Sequence, residues 1–124
     1  MIEKHKLLIV DDDDAVIDFL HAKLGNRYDI VSTSTPENVL RLARETAPSL
    51  ILCDVDMPGM DGGDVSRELS GDAELSDIPV VFLTNLVSPA DMQGDGLQIG
   101  GRPAISKRAP LAELIRKIES LTTR

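Results

Sequence analysis

Short apolar runs alternate with longer amphipathic stretches along the chain. "KLLIV" (6–10) is apolar after its lysine and stops at four consecutive aspartates, as a buried strand would. "DAVIDFLHAKL" (14–24) places Val16, Ile17, Leu20 and Leu24 at helical spacing, and Gly25 is a natural stop. "YDIVS" (28–32) predicts a second strand. "TPENVLRLARETA" (35–47) predicts a helix with Thr35 as N-cap, Pro36 at its first position, and Val39, Leu42 and Ala43 on one face. "SLILC" (49–53) is a third strand that runs straight into "DVDMPGMDGG". A short helix comes next over about 63–69, then a fourth strand in "IPVVFLT" (78–84). By position "SPADMQGDGLQIGG" (88–101) should be a helix. Gly94 and Gly96 lie inside it, and each interior glycine costs about 1 kcal/mol relative to alanine. "AIS" (104–106) is a weak fifth strand. "PLAELIRKIESL" (110–121) aligns Leu111, Leu114, Ile115, Ile118 and Leu121 on one helical face behind Pro110.

The result is a β-α unit repeated five times. Strands that are apolar throughout, rather than alternating, are covered on both faces. Right-handed crossovers then give an α/β, doubly wound, five-stranded parallel sheet in a single domain over 1–124. In such a sheet the functional crevice lies beyond the carboxyl ends of the strands, so the residues just past each strand matter most.

Composition narrows the class. The chain has 124 residues, 42% of them hydrophobic but only 2% aromatic, so its core is aliphatic. A net charge of −8 argues against a nucleic-acid surface, which needs clustered Lys and Arg. One cysteine, Cys53, excludes an internal disulfide and suits a reducing compartment. "MIEKHK" carries no signal-peptide core, and no apolar run approaches the roughly 20 residues of a membrane helix. The expectation is a cytoplasmic protein without direct nucleic-acid or membrane contact.

Asp11 and Asp12 lie just past the first strand, Asp54 and Asp56 past the third, Thr84 and Asn85 at the end of the fourth, and Lys107 past the fifth. Several carboxylates converging in one crevice are costly unless a divalent cation joins them, and oxygen-only ligands favour Mg²⁺ over zinc. Asp13 or Asp14 is better placed to cap the first helix. Taken alone, a run of acids is more often capping and solvated surface; the other strand ends reverse those odds.

"LLIVDDDDA", "PSLILCDVDMPGMDG", "IPVVFLTN" and "ISK" stand in the order and spacing of the receiver domain of bacterial two-component response regulators, and the chain resembles that family over about residues 5–121. The resemblance implies a flavodoxin-like (βα)5 fold with strand order 2-1-3-4-5. It implies that Asp54 is the phosphoacceptor, that Asp11 and Asp12 bind Mg²⁺ with Asp54 and the backbone carbonyl of Asp56, and that Thr84 and Lys107 bind phosphoryl oxygens. The implied partners are a sensor histidine kinase or phosphotransfer protein and a downstream protein. The implied chemistry is the domain's own phosphorylation and dephosphorylation, not turnover of a substrate. A carboxylate can attack phosphorus, and the rest of the site positions and neutralises the transferring group.

The second half departs from the family pattern. Ala104 stands where the family carries a Tyr or Phe whose movement is part of the switch. Arg108, not proline, comes after Lys107, so the bond after the lysine is expected to be either trans with a re-routed loop or cis at a cost of about 2.5–4 kcal/mol. Asn85 is larger than the usual small residue, and Asp56 adds a negative side chain near an incoming anion; together they are expected to set the lifetime of the acyl phosphate. The glycine-rich 88–101 segment is expected to be mobile or partly unwound and to order on a partner.

His5 and His21 are read as surface residues, Cys53 as a small buried hydrophobe, Met57 and Met60 as loop packing, and Asp61 as a turn or cap residue. Arg102 and Arg108 are read as solvated surface, with a basic rim for a partner as the alternative. Two competing functions remain. "DVDM" also resembles the Asp-x-Asp loop of haloacid-dehalogenase-type phosphatases, although that loop normally sits after a first strand. A receiver that has lost switching, serving as scaffold or phosphate sink, is the other. The chain is expected to be a stand-alone regulator or the receiver of a longer protein such as a hybrid kinase.

Overall fold

The computed structural model describes residues 4–57, 62–85, 97–99 and 101–122. The chain runs β1 (His5–Val10), α1 (Asp14–Leu24), β2 (Tyr28–Thr33), a 3-10 turn (Pro36–Asn38) leading into α2 (Val39–Thr46), β3 (Leu50–Asp54), α3 (Gly62–Ser70), β4 (Val80–Thr84), β5 (Leu97–Ile99), β6 (Arg102–Ser106) and α4 (Leu111–Thr122). The sheet order is β2-β1-β3-β4-β6-β5. The β2-β1, β1-β3, β3-β4 and β4-β6 pairs are all parallel. The segment expected as the fifth strand is therefore β6, in the position foreseen for it.

Alternate side chains of each strand feed opposite layers. Leu7, Ile9, Leu50, Leu52, Val81, Leu83 and Ile105 pack on Ile17, Leu20 and Leu24 of α1 and on Leu114 and Ile118 of α4. Leu8, Val10, Ile51, Cys53, Val80, Phe82 and Ala104 pack on Val39 and Ala43 of α2, Leu69 of α3 and Leu75. Both faces are covered, which is why the strands are apolar throughout. Each fully buried aliphatic side chain contributes about 1.5–3 kcal/mol relative to exposure.

The structure corrects two expectations. Residues 97–99 are not helical: they form β5, antiparallel to β6, with Leu97 opposite Ala104, Gln98 opposite Pro103 and Ile99 opposite Arg102. Gly101 takes a φ of 79°, which turns the chain tightly from β5 into β6. The edge of β6 would otherwise expose unpaired backbone groups, and this short strand covers part of it. The remainder of the expected helix, 88–96 and Gly100, lies outside the described residues, as do Met60 and Asp61. The second correction concerns Arg102, which is not solvated surface. Its guanidinium, half-buried, donates to Ser66 Oγ, Ser70 Oγ and the carbonyl of Ile78, each at 3.0 Å. It ties β6 to α3.

Other local readings hold. Asp13 is the N-cap of α1, its carboxylate accepting the Ala15 N–H at 2.9 Å. Thr35 departs from its reading in part: it precedes Pro36 as expected but makes no side-chain cap bond, and the α-helix proper starts only at Val39, after the 3-10 turn. Met57 and Cys53 are buried in the second layer. The peptide bond from Lys107 to Arg108 is trans. The re-routed loop is a tight turn in which Ser106 O accepts the Ala109 N–H and Ser106 Oγ accepts the Arg108 N–H, both at 3.0 Å. At the start of α3, a Cβ on Gly62 would lie 2.8 Å from Ile99 Cγ2 and 3.0 Å from Val55 Cγ1, so only glycine fits.

Candidate functional site

Each expected site residue sits where its strand ends. Asp11 is the first residue past β1, where its N–H continues the ladder to Thr33 O at 3.1 Å. Its side chain is fully buried, and Oδ1 accepts the Asp13 N–H at 2.9 Å. Asp54 ends β3, 1% exposed, with Oδ1 accepting the Asp56 N–H at 2.8 Å. The same construction recurs at both strand ends: a carboxylate folds back onto the amide two residues on. Thr84 ends β4 and is buried. Lys107 is the first residue past β6, where its N–H donates to Thr84 O at 2.8 Å and fixes the lysine above the strand ends.

From there Lys107 Nζ reaches Asp54 Oδ2 at 3.0 Å and stands 3.3 Å from Asp11 Oδ2. Asp11 Oδ2 lies off the direction of a hydrogen bond, and is a buried oxygen without a hydrogen-bond partner among the described residues. Carboxylate oxygens of Asp11, Asp12 and Asp54 lie within 4.8 Å of one another, Asp12 being exposed. Three carboxylates face one ammonium. Burial pushes the Asp11 carboxyl above its ordinary value of 3.8; the Asp13 amide opposes that rise, and the Asp54 charge adds to it. Burial pulls the Lys107 ammonium down, but its bond to Asp54 and the charges of Asp11 and Asp54 outweigh burial and leave it raised. Excess negative charge, hard oxygen donors and a buried carboxylate oxygen held by an ion pair without a hydrogen bond fit a Mg²⁺ ion.

Asp56 adds a contact that the sequence did not suggest. Its exposed side chain turns toward β4, where Oδ2 accepts the Asn85 N–H at 2.6 Å and Oδ1 accepts the Thr84 hydroxyl at 3.2 Å. Sequence reasoning weighed the backbone carbonyl and the negative side chain of Asp56 and the side chain of Asn85, and missed the bridge from the Asp56 carboxylate to the Thr84 hydroxyl and the Asn85 amide. An acid two residues past a strand-end acid was the available signal. Beside the site, burial and then the charges of Asp54 and Asp11 push the Cys53 thiol up to about 12, so it is inert as a nucleophile.

The sequence signature described as the response regulator receiver domain matches residues 7–119. The chain belongs to that family. The response regulator PleD of Caulobacter vibrioides is 39% identical over 121 residues, covering 94% of this chain and 26% of PleD. The signal receiver domain of a signal transduction histidine kinase from Syntrophus aciditrophicus superposes with a TM-score of 0.79 at 31% identity, over 96% of this chain and 90% of that one. The BeF3-activated N-terminal receiver domain of RstA from Klebsiella pneumoniae gives 0.76 at 28%, over 96% and 99%. The chain spans between about a tenth and a half of the length of the curated relatives it matches. A phosphatase of the haloacid-dehalogenase type is not favoured, since Asp54-Val55-Asp56 stands at the end of the third strand of this receiver domain.

Proposed function

We propose that this receiver domain accepts a phosphoryl group on Asp54 from the phosphohistidine of a sensor histidine kinase or phosphotransfer protein, and thereby changes its affinity for a downstream protein. The observation that carries this reading is the buried Asp54 carboxylate held between the Asp56 amide and the Lys107 ammonium, with Asp11 and Asp12 alongside. In the transfer a carboxylate oxygen of Asp54 bonds to phosphorus, the P–N bond to the donor imidazole breaks, and the imidazole leaves with that electron pair. Lys107 holds Asp54 in place and offers a point charge to the phosphoryl oxygens; Thr84 offers a hydroxyl donor. Asp11, Asp12, Asp54 and the Asp56 backbone carbonyl would hold Mg²⁺, which neutralises charge on the transferring group when bound.

Half-exposed Phe19 on α1 borders an apolar cleft of about 330 Å³ that reaches Lys107, which supports docking of a protein donor there. A buried free cysteine and the lack, among the described residues, of any helix able to cross a membrane support a cytoplasmic setting. The reaction is self-limiting, so the domain is a signalling phosphoacceptor over 1–124 rather than an enzyme acting on a substrate. Intact-mass spectrometry after treatment with phosphoramidate tests this. One phosphoryl group per chain is expected with Mg²⁺, and none in EDTA or in Asp54→Asn. Multiple-turnover release of phosphate, or modification of Asp54→Asn, contradicts the assignment.

A further inference from the structure

The family's ring-based switch has no ring here: position 104 is a buried alanine, and its register neighbour on β4 is Phe82. Something else has to connect the state of Asp54 to the chain leaving β4. Lys107 joins Asp54 to the backbone at Thr84, and one further side chain, that of Asp56, spans the gap to the Thr84 hydroxyl and the Asn85 amide. Asp56 accepts the Thr84 hydroxyl and the Asn85 N–H with its two carboxylate oxygens, while its own N–H is given to Asp54.

We infer that the Asp56 carboxylate is an internal anion that occupies the phosphoryl-binding donors of the resting domain, and that phosphorylation of Asp54 displaces it from the Thr84 hydroxyl and the Asn85 N–H. The inference rests on the phosphoacceptor reading of Asp54. A threonine hydroxyl has one proton, and so has a backbone amide. Donors committed to Asp56 are therefore withheld from an incoming phosphoryl group. Bonds to a charged acceptor are strong, but Asp56 is exposed, so the displaced carboxylate is rehydrated in water without a burial cost. The arriving phosphoryl group also brings negative charge beside Asp56, which drives the carboxylate outward. Asp56 is thus a positioning residue: it acts through Thr84 and Asn85, and the exchange of one anion for another on those two donors is the switch. Unlike a ring that fills a vacated space, this device needs no empty volume behind Thr84.

Beryllofluoride with Mg²⁺, monitored by amide NMR, provides the test on the full chain. In the resting wild-type domain the Asn85 amide proton should resonate far downfield, as expected for a short bond to a carboxylate, and should move when beryllofluoride binds. Asp56→Asn should remove the downfield shift and tighten beryllofluoride binding about tenfold. Loss of a nearby negative charge would also favour an anion, so the titration is repeated in about 0.5 M KCl, where the screening length is only a few ångströms. Tightening that persists there supports the exchange. Tightening that vanishes in high salt assigns the effect to charge alone and overturns it, as does an Asn85 resonance that is the same in both proteins. A wild-type domain that binds no beryllofluoride, matching the Asp54→Asn control, removes the phosphoacceptor reading and this inference with it. A wild-type domain that binds it equally to Asp56→Asn removes this inference only.

Discussion

At the carboxyl edge of the sheet, β1 and β3 present acids steadied by their own backbone, each carboxylate accepting the amide two residues on. β4 and β6 present a hydroxyl, an amide and an ammonium whose partners lie far off in sequence: Asp56 for the first two, Asp11 and Asp54 for the third. The acid side takes its geometry from local backbone, while its buried charge is balanced by Lys107. The cation and hydroxyl side exists only once the sheet has assembled. Chemistry that must be reproduced in every copy of a fold can be written into short stretches; response to that chemistry depends on contacts made across the molecule.

Removing the long-range tie tests this contrast most severely. Lys107→Ala should cost about 3 kcal/mol in EDTA, because it leaves the buried Asp11 and Asp54 carboxylates uncompensated. Excess Mg²⁺ should restore part of that loss by binding only the folded state. Urea melts with and without the metal measure both. A loss below about 1 kcal/mol would mean that the acid side stands without the lysine.

Restoring the ring asks whether the second half is merely trimmed. Ala104→Phe should destabilise by about 2 kcal/mol, since Ala104 is buried beside Phe82 in the sheet register and an added ring overpacks that layer. A neutral result would reveal room for a swinging aromatic. On the local side, Asp13→Ala should cost about 1 kcal/mol through loss of the α1 cap and leave the strand-end acids in place.

The smallest effect is a slope with pH. The folded-state value of Asp11 lies above its ordinary 3.8, chiefly through burial. Its favourable contribution is therefore full below that value and is lost as pH rises through the folded one. In EDTA, Asp11→Asn should gain on the wild type across that rise, by a few tenths to about 1 kcal/mol, and excess Mg²⁺ should reverse the order. Parallel stability–pH curves would deny the burial penalty.

The same contrast separates the features legible in the sequence from those that were not. Asp11, Asp54 and the Asp13 cap are set by residues next to them, and the two-faced apolar runs dictate the order of strands and helices. Thr84 and Lys107 were legible as strand ends. The Asp56 bridge was not, because its acceptor and donors are 28 and 29 positions apart. β5 was missed for a related reason: Leu97, Gln98 and Ile99 are too few to show a period, and they form a strand only because β6 offers an edge. Arg102 looked like surface because nothing local says that Ser66, Ser70 and Ile78 converge on it.

Gly62 has a mechanical consequence. Val55, one residue past the acceptor, and Ile99, on the edge hairpin, close on the glycine from two sides with no room for a methyl group. Side chains from the segment after the acceptor and from the edge hairpin thus converge on the start of α3. A methyl group placed there would have to push aside both the residue after the acceptor and the hairpin, so Gly62 lets these two neighbours of the site lie close together on α3.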